Sequence, residues 1–209
     1  MIVYNCEQGS EAWFAARCGR VTGTRFKELM AGESTDTYKK LVSNLACEII
    51  TGKMEETYSN ANMEHGTETE PFARFEYESI FDVEVKQVGF IIPDEDHNYH
   101  ELIGISPDGL LPEDGLLEIK CPIMRTHLEY IEAGKLPTEY RNQVQGQLFV
   151  TGFKYLHFMS YVEGMKPFII PVKPDIDLFL EFEKRLDLLK AHLQNKLLVY
   201  KQYQFLNHE

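Results

Sequence analysis

The apolar residues of this 209-residue chain recur in two rhythms, and the rhythm changes near residue 83. Up to residue 52, three runs with helical spacing are each followed by a glycine, Gly19, Gly32 and Gly52, the residue favoured just past a helix C-terminus. Three helices are expected there. Asp36 is the expected N-cap of the third, whose apolar positions Leu41, Leu45, Ile49 and Ile50 recur at helical spacing. A fourth helix is expected over 61–80, with Phe72, Phe75, Tyr77 and Ile80 as its apolar positions and Pro71 signalling a kink or a later start. Short β-type runs then cover 85–92, 102–106 and 116–121, separated by the turn clusters Pro93-Asp94-Glu95-Asp96 and Pro112-Glu113-Asp114-Gly115, which predicts a strand meander. Helices over 125–134 and 138–151 and strands over 155–162 and 168–172 follow. A long helix from about Asp175 closes the chain, with Phe179, Phe182, Leu186, Leu189, Leu193 and Leu197 spaced by three or four.

This order of elements predicts a single α/β domain over residues 1–209, with a central mixed β-sheet flanked by helices. Its expected parts are a helical N-terminal stretch (1–60), a core (61–172) and a C-terminal helix (173–209). No apolar run reaches the roughly 18 residues that a membrane span needs, and the first residues do not read as a signal peptide. A soluble cytoplasmic protein with no membrane partner is expected. Cys6, Cys18, Cys47 and Cys121 form no Cys-x-x-Cys pair, so neither a zinc ribbon nor a disulfide framework is suggested.

The formal net charge is -12, from 33 acids and 21 bases. Taken alone, it argues against a nucleic acid, since a phosphate polymer is usually met by a basic surface. Location changes that argument. Residues 61–120 hold 15 acids and 3 bases, while the rest of the chain holds 18 of each. The run from Ala12 to Lys27 has no acid and carries Arg17, Arg20, Arg25 and Lys27, so it is the stretch expected to face phosphate. Glu76, Glu78, Asp94, Glu95 and Asp96 are expected to face away.

The acidic segment also holds the best chemical motif. Asp108 ends one expected strand, and Glu118-Ile119-Lys120 lies in the next. Side chains two apart on a strand share a face, so Glu118 and Lys120 point one way and Ile119 the other. A turn near 112–115 would bring Asp108 beside them. Two such carboxylates suit Mg²⁺ or Mn²⁺ held together with phosphate oxygens. The cation would activate a water and stabilise phosphoryl charge, and Lys120 would orient or deprotonate that water or neutralise the transition state. The bland alternative is an ion pair that staples a hairpin. Glu84-Val85-Lys86 repeats the acid-x-Lys pattern and Pro-Asp occurs at 93–94, 107–108 and 174–175. Glu84 to Lys86 has no aspartate shortly upstream except Asp82 beside it, and Pro93-Asp94 lies in a polar turn, whereas Asp108 emerges from an apolar run and Glu118 to Lys120 sits in one, which calls for an explanation.

Ser106-Pro107-Asp108-Gly109-Leu110, followed by Leu117-Glu118-Ile119-Lys120-Cys121-Pro122, resembles the signature of the phage lambda exonuclease and YqaJ-type viral recombinase nucleases of the PD-(D/E)xK superfamily. Three more stretches match in order: Ala12-Trp13 leading to Arg17, Gly19 and Thr22; Gly66-Thr67-Glu68-Thr69-Glu70 leading to Ala73-Arg74; and Gln143-Val144-Gln145. The resemblance implies a restriction-endonuclease-like core. It also implies that Asp108 and Glu118 are the principal metal ligands, joined by the Ile119 carbonyl and by Glu70, that Lys120 is the catalytic lysine, and that Gln145 sits beside the site. Arg17, Thr24 and Ser106 match the 5'-phosphate pocket, Thr24 standing where the family usually has serine, and Arg125 is a further candidate phosphate contact.

The activity so implied is a Mg²⁺-dependent 5' to 3' exonuclease, with Mn²⁺ able to substitute. It would digest one strand from double-stranded DNA ends and leave 3' overhangs for a single-strand annealing protein. A homotrimeric ring, and a phage or prophage protein acting in a bacterial host cytoplasm, are implied with it. Two alternatives stay open on the residues alone: an endonuclease or nickase built on the same core, and a non-catalytic recombinase-loading module in which Asp108, Glu118 and Lys120 are a structural cluster.

Overall fold

A computed structural model describes residues 1–54 and 61–206, so the expected boundary at residue 60 lies outside the described residues. Along the chain come β1 (Ile2–Tyr4), α1 (Glu11–Arg17), α2 (Arg25–Leu29), α3 (Asp36–Thr51), α4 (Ala61–Phe81), β2 (Phe90–Ile92), β3 (Gly109–Leu111), β4 (Gly115–Lys120), α5 (Met124–Ala133), α6 (Arg141–Thr151), β5 (Tyr155–Ser160), β6 (Phe168–Val172) and α7 (Ile176–Leu206). A 3₁₀ turn, Thr138–Tyr140, leads into α6.

Side-chain capping fixes the N-terminal helices. Ser10 accepts from the Trp13 N–H at the start of α1. At α3 the cap is Thr35 rather than Asp36: the Thr35 hydroxyl accepts from the Tyr38 N–H, and Asp36 becomes the first helical residue, where its charge complements the helix dipole. Gly52, with φ 68°, closes α3. The N-terminal region is not purely helical, because β1 pairs antiparallel with β2, Ile2 opposite Ile92. Three residues are too few to show a strand rhythm.

Helix α4 continues through Pro71. Its apolar positions divide differently from the expectation. Ala73 and Tyr77 are buried, whereas Phe72 and Phe75 are 67 % and 69 % exposed. Residues 73 and 77 are one turn apart on the inner face, and 72 and 75 lie across the helix from it. The expected meander is also sparser. Of 85–92 only Phe90–Ile92 is a strand, and 102–106 contributes single bridges, Ile103 with Val21 and Ile105 with Ile91.

The main sheet has the order β3-β4-β5-β6. Its central pair, β4 and β5, is parallel and the outer pairs are antiparallel. A parallel pair needs a crossover, and α5 and α6 supply it. Alternation along β4 separates two cores: Leu116 packs with Leu156, Phe158, Val144, Leu148 and α7, while Leu117 and Ile119 pack with Met159, Ala73 and Tyr77. Helix α6 thus covers one face of the sheet and α4 the other. Gly146 lets α6 sit close, since a Cβ there would lie 2.4 Å from the Phe26 ring. The side chains Phe182, Leu186 and Leu189 of α7 are fully buried in the first core, each contributing about 1.5–3 kcal/mol of transfer free energy.

Candidate active site

The β3–β4 hairpin assembles the centre. Its turn uses Glu113 and Asp114 at φ 58° and 62°, and Lys154 ties Asp114 down with an ion pair of 2.9 Å. Gly109 pairs with Leu117, which carries Asp108 up to Ile119, whose N–H donates to Asp108 Oδ2 at 2.6 Å. Gly109 is required there because a Cβ would lie 2.1 Å from Val85 Cγ1. Glu118 and Lys120, on the face that α6 covers, form an ion pair of 2.5 Å.

Helix α6 presents two amides to the same carboxylate. Gln143 Nε2 donates to Glu118 Oε1, and Gln147 Nε2 donates to Oε2 at 2.5 Å. Glu118 and Gln147 are both 1 % exposed. From the other side of the sheet, Glu70 pairs with Arg74 one turn along α4, and Arg74 Nε donates to the Asp108 carbonyl at 3.3 Å. Burial pushes the Asp108 carboxyl well above the usual carboxylate range, and Glu118 and Glu70 push it further. Burial raises the Glu70 carboxyl as well, with Glu118 adding to it against the pull of Arg74. At Lys120, burial works against the charge, but Glu118 and Asp108 outweigh it and hold the amine protonated. The Lys120 Nζ also lies 5.2 Å from the Tyr140 ring centroid.

Three carboxylates therefore face two cations, Lys120 and Arg74. Among the described residues no three His, Cys, Asp or Glu side chains come close enough together to hold a metal by themselves. Mg²⁺ does not require that, since one or two carboxylates plus water and substrate phosphate oxygens usually hold it. The donor set here is all hard oxygen with an excess of negative charge, and it fits such an ion.

A second cluster lies at the start of the chain. Arg17 Nη1 donates to Ser106 Oγ at 2.9 Å, and Nη2 to Thr22 Oγ1 at 3.2 Å. Trp13 Nε1 donates to the same Ser106 Oγ at 2.8 Å, and the Arg17 guanidinium lies 4.0 Å above the Trp13 ring. Burial, with Arg25 nearby, lowers the Arg17 pKa to about 10, Glu48 opposing. A cleft of about 1070 Å³ has Trp13 of this cluster and Glu70, Arg74 and Asp108 of the first in its wall.

Other expected positions fall elsewhere. Gln145 is not brought to the site: its Nε2 donates to the Lys173 carbonyl and its Oε1 accepts from the Asp175 N–H, both at 2.9 Å. On a helix, 143 and 147 share a face and 145 points away from it, and that spacing is the signal in the sequence that favours Gln143 and Gln147. Thr24 is exposed ahead of α2, and Thr22 supplies the hydroxyl that meets Arg17. Arg125 is exposed on α5, 3.6 Å from Glu129. The acid-free block is not a uniform basic surface. Arg25 is committed to buried Glu48, Arg20 bonds the Ala16 carbonyl, and Lys27 alone of the four is exposed. Asp94, Glu95 and Asp96 are exposed, and Glu76 and Glu78 half-buried.

Residues 12–154 match the model of the YqaJ-like viral recombinase domain. The chain is 35 % identical to an alkaline exonuclease, LHK-Exo, from Laribacter hongkongensis, covering 93 % of this chain and 98 % of that one with a TM-score of 0.83. LHK-Exo in complex with dAMP matches with the same values. A phage-related exonuclease from Haemophilus somnus 129PT, 15 % identical with a TM-score of 0.63 over 88 % of this chain and 96 % of that one, shares the fold. No curated protein matches.

Proposed function

The chain belongs to the YqaJ-like viral recombinase domain family, and from that premise we propose that this exonuclease of the alkaline type is a Mg²⁺-dependent 5' to 3' enzyme acting on double-stranded DNA ends. The observation that carries the reading is one cleft whose wall includes Trp13, which lies beneath Arg17, together with Glu70 and Asp108. A terminal 5'-phosphate held by Arg17 and Ser106, with buried Thr22 bracing the guanidinium, would place the adjoining phosphodiester beside the carboxylates, so hydrolysis would begin at that end. LHK-Exo is known with bound dAMP, a 5'-mononucleotide of the kind such a reaction releases.

Asp108, Glu118 and the Ile119 carbonyl would hold the cation, with Glu70 adding charge from α4. When bound, Mg²⁺ or Mn²⁺ supplies Lewis-acid stabilisation of phosphoryl charge and a more acidic water. Lys120, kept protonated by its two carboxylate neighbours, acts as a cation: its Nζ donates to the attacking water or a phosphoryl oxygen rather than taking up a proton. Gln143 and Gln147 fix the Glu118 carboxylate, and the burial of these groups keeps the charges poorly screened.

The remaining parts of the proposal are a homotrimeric ring, 3' overhangs passed to a single-strand annealing protein, and action in a bacterial host cytoplasm as a phage or prophage protein. Self-association is supported by apolar side chains left on the surface, Phe72 and Phe75 on α4 and Leu198, Val199 and Phe205 on α7. No helix among the described residues is long and apolar enough to cross a membrane. Linear duplexes with 5'-phosphate or 5'-hydroxyl ends, and closed circles, are incubated with Mg²⁺ or chelator. Fast, Mg²⁺-dependent digestion of the phosphorylated end is expected, and degradation of circles would overturn the reading.

A further inference from the structure

We infer that Gln147 is a positioning residue that sets the Glu118 carboxylate for a divalent cation without cancelling its charge. Its Nε2 is the donor to Glu118 Oε2, at 2.5 Å, whereas Oε1 takes both Lys120 and Gln143. Gln147 is 1 % exposed, and its own Oε1 has no hydrogen-bond partner among the described residues. A buried orphan carbonyl is a stability cost that an apolar residue of the same length would remove. Its presence is explained by what the other end of the amide does. Without the amide on Oε2, the carboxylate could turn both oxygens toward Lys120, and that internal ion pair would compete with an incoming cation. A lysine or arginine in place of Gln147 would orient the oxygen equally well but neutralise it. A neutral amide holds position and leaves the charge available.

Gln145, two residues earlier on α6, is the internal contrast. It is also buried, but both ends of its amide are bonded, to the Lys173 carbonyl and the Asp175 N–H. It joins α6 to the segment that enters α7.

The inference rests on Glu118 being a cation ligand, and the test separates the two. Mn²⁺ binding to the full-length protein is measured by titration calorimetry without DNA for wild type, Gln147→Met, Gln147→Leu and Gln145→Met, with melting temperatures alongside. Wild type should bind Mn²⁺. Gln147→Met and Gln147→Leu should bind it about tenfold or more weakly with only a small fall in melting temperature, since the carboxylate oxygen they free can turn to Lys120 and the orphan carbonyl is lost, with kcat partly restored by excess Mn²⁺ and KM for DNA unchanged. Gln145→Met should melt lower with its Mn²⁺ affinity unchanged. If wild type binds no Mn²⁺, the reading of Glu118 as a ligand fails and the inference goes with it. If wild type binds and the Gln147 variants bind equally well, or lose affinity only as they lose stability, the ligand stands and Gln147 is merely structural.

Discussion

Two glutamates are buried in this chain to nearly the same extent, Glu48 at 3 % and Glu118 at 1 % exposure, and their surroundings are opposite in kind. Glu48 is met by Arg25 through both terminal guanidinium nitrogens, one hydrogen bond being 3.0 Å, and by the Gly19 N–H at 2.8 Å. Its charge is cancelled by a fork of matching geometry, and the pair fastens the α1–α2 junction to α3. Glu118 is met by two neutral amides and one lysine, with Asp108 and Glu70 close enough for its charge to raise the pKa of both. A buried carboxylate is thus no signal of function by itself. What distinguishes the second is that its neighbourhood holds more negative charge than it neutralises, and that imbalance is what a cation would relieve.

Breaking the first pair should have the largest effect. Arg25→Met leaves Glu48 buried without a counter-charge, which costs about 3–5 kcal/mol and lowers the melting temperature by roughly 10 °C. Replacing both partners by apolar residues, Arg25→Met with Glu48→Leu, should recover most of it. A single variant that melts like wild type would show that the pair is no staple.

At the second glutamate, the expected loss is catalytic. Lys120→Ala should lower kcat by about 10²–10³-fold at a temperature where the variant is still folded, with end binding still measurable by gel shift. Wild-type digestion by this variant would disprove the site assignment. Lys120→Ala should lose stability as well, because it strands buried Glu118 among carboxylates, whereas Arg25→Met should lose stability without a comparable loss of kcat in the protein that remains folded.

The two neighbourhoods are not equally legible in the sequence. Asp108, Glu118 and Lys120 fall within one hairpin, so strand alternation and a turn at 112–115 are enough to set them side by side. Arg17 and Ser106 are far apart in sequence and meet only through tertiary structure, and resemblance alone points to them. Nothing periodic separates Thr22 from Thr24, because register in a short loop before a five-residue helix leaves no such signal. Arg25 reads as a surface cation because the acid that captures it lies 23 residues away. In the fold, β5, β6 and α7 are plain from their rhythm. The exposed Phe72 and Phe75 read as core, since an apolar residue on an outward face looks the same in sequence as one on an inward face.

The Arg17 cluster extends the contrast at a smaller scale. Arg17→Ala should reduce digestion of 5'-phosphorylated ends about tenfold and bring it close to the rate on 5'-hydroxyl ends, while Mn²⁺ affinity is unchanged. Arg17→Lys should restore little, because a lysine lacks the planar face that lies over Trp13 and the fork that reaches both Ser106 and Thr22. A variant that keeps its preference for phosphorylated ends would exclude Arg17 as the anchor.

The smallest effect tests the charge imbalance itself, through pH. Asp108 has its carboxyl raised by burial, Glu118 and Glu70, so the folded chain holds that proton more tightly than the unfolded chain, whose value is about 3.9. Between about pH 4 and the raised value the folded state binds more protons, so stability falls as pH rises through this window, and the full penalty remains above it. Asp108→Asn keeps an oxygen to accept the Ile119 N–H and removes the charge. In metal-free buffer the variant should therefore melt a few degrees above wild type at neutral pH, with the difference shrinking toward zero near pH 4. Mg²⁺ should stabilise wild type and narrow the gap, since it neutralises the same charge, and should leave the Asn variant nearly unmoved. A gap that is constant with pH, or that widens on acidification, would mean that Asp108 is already neutralised within the fold, as Glu48 is, and that the two glutamate neighbourhoods differ less than their contacts imply.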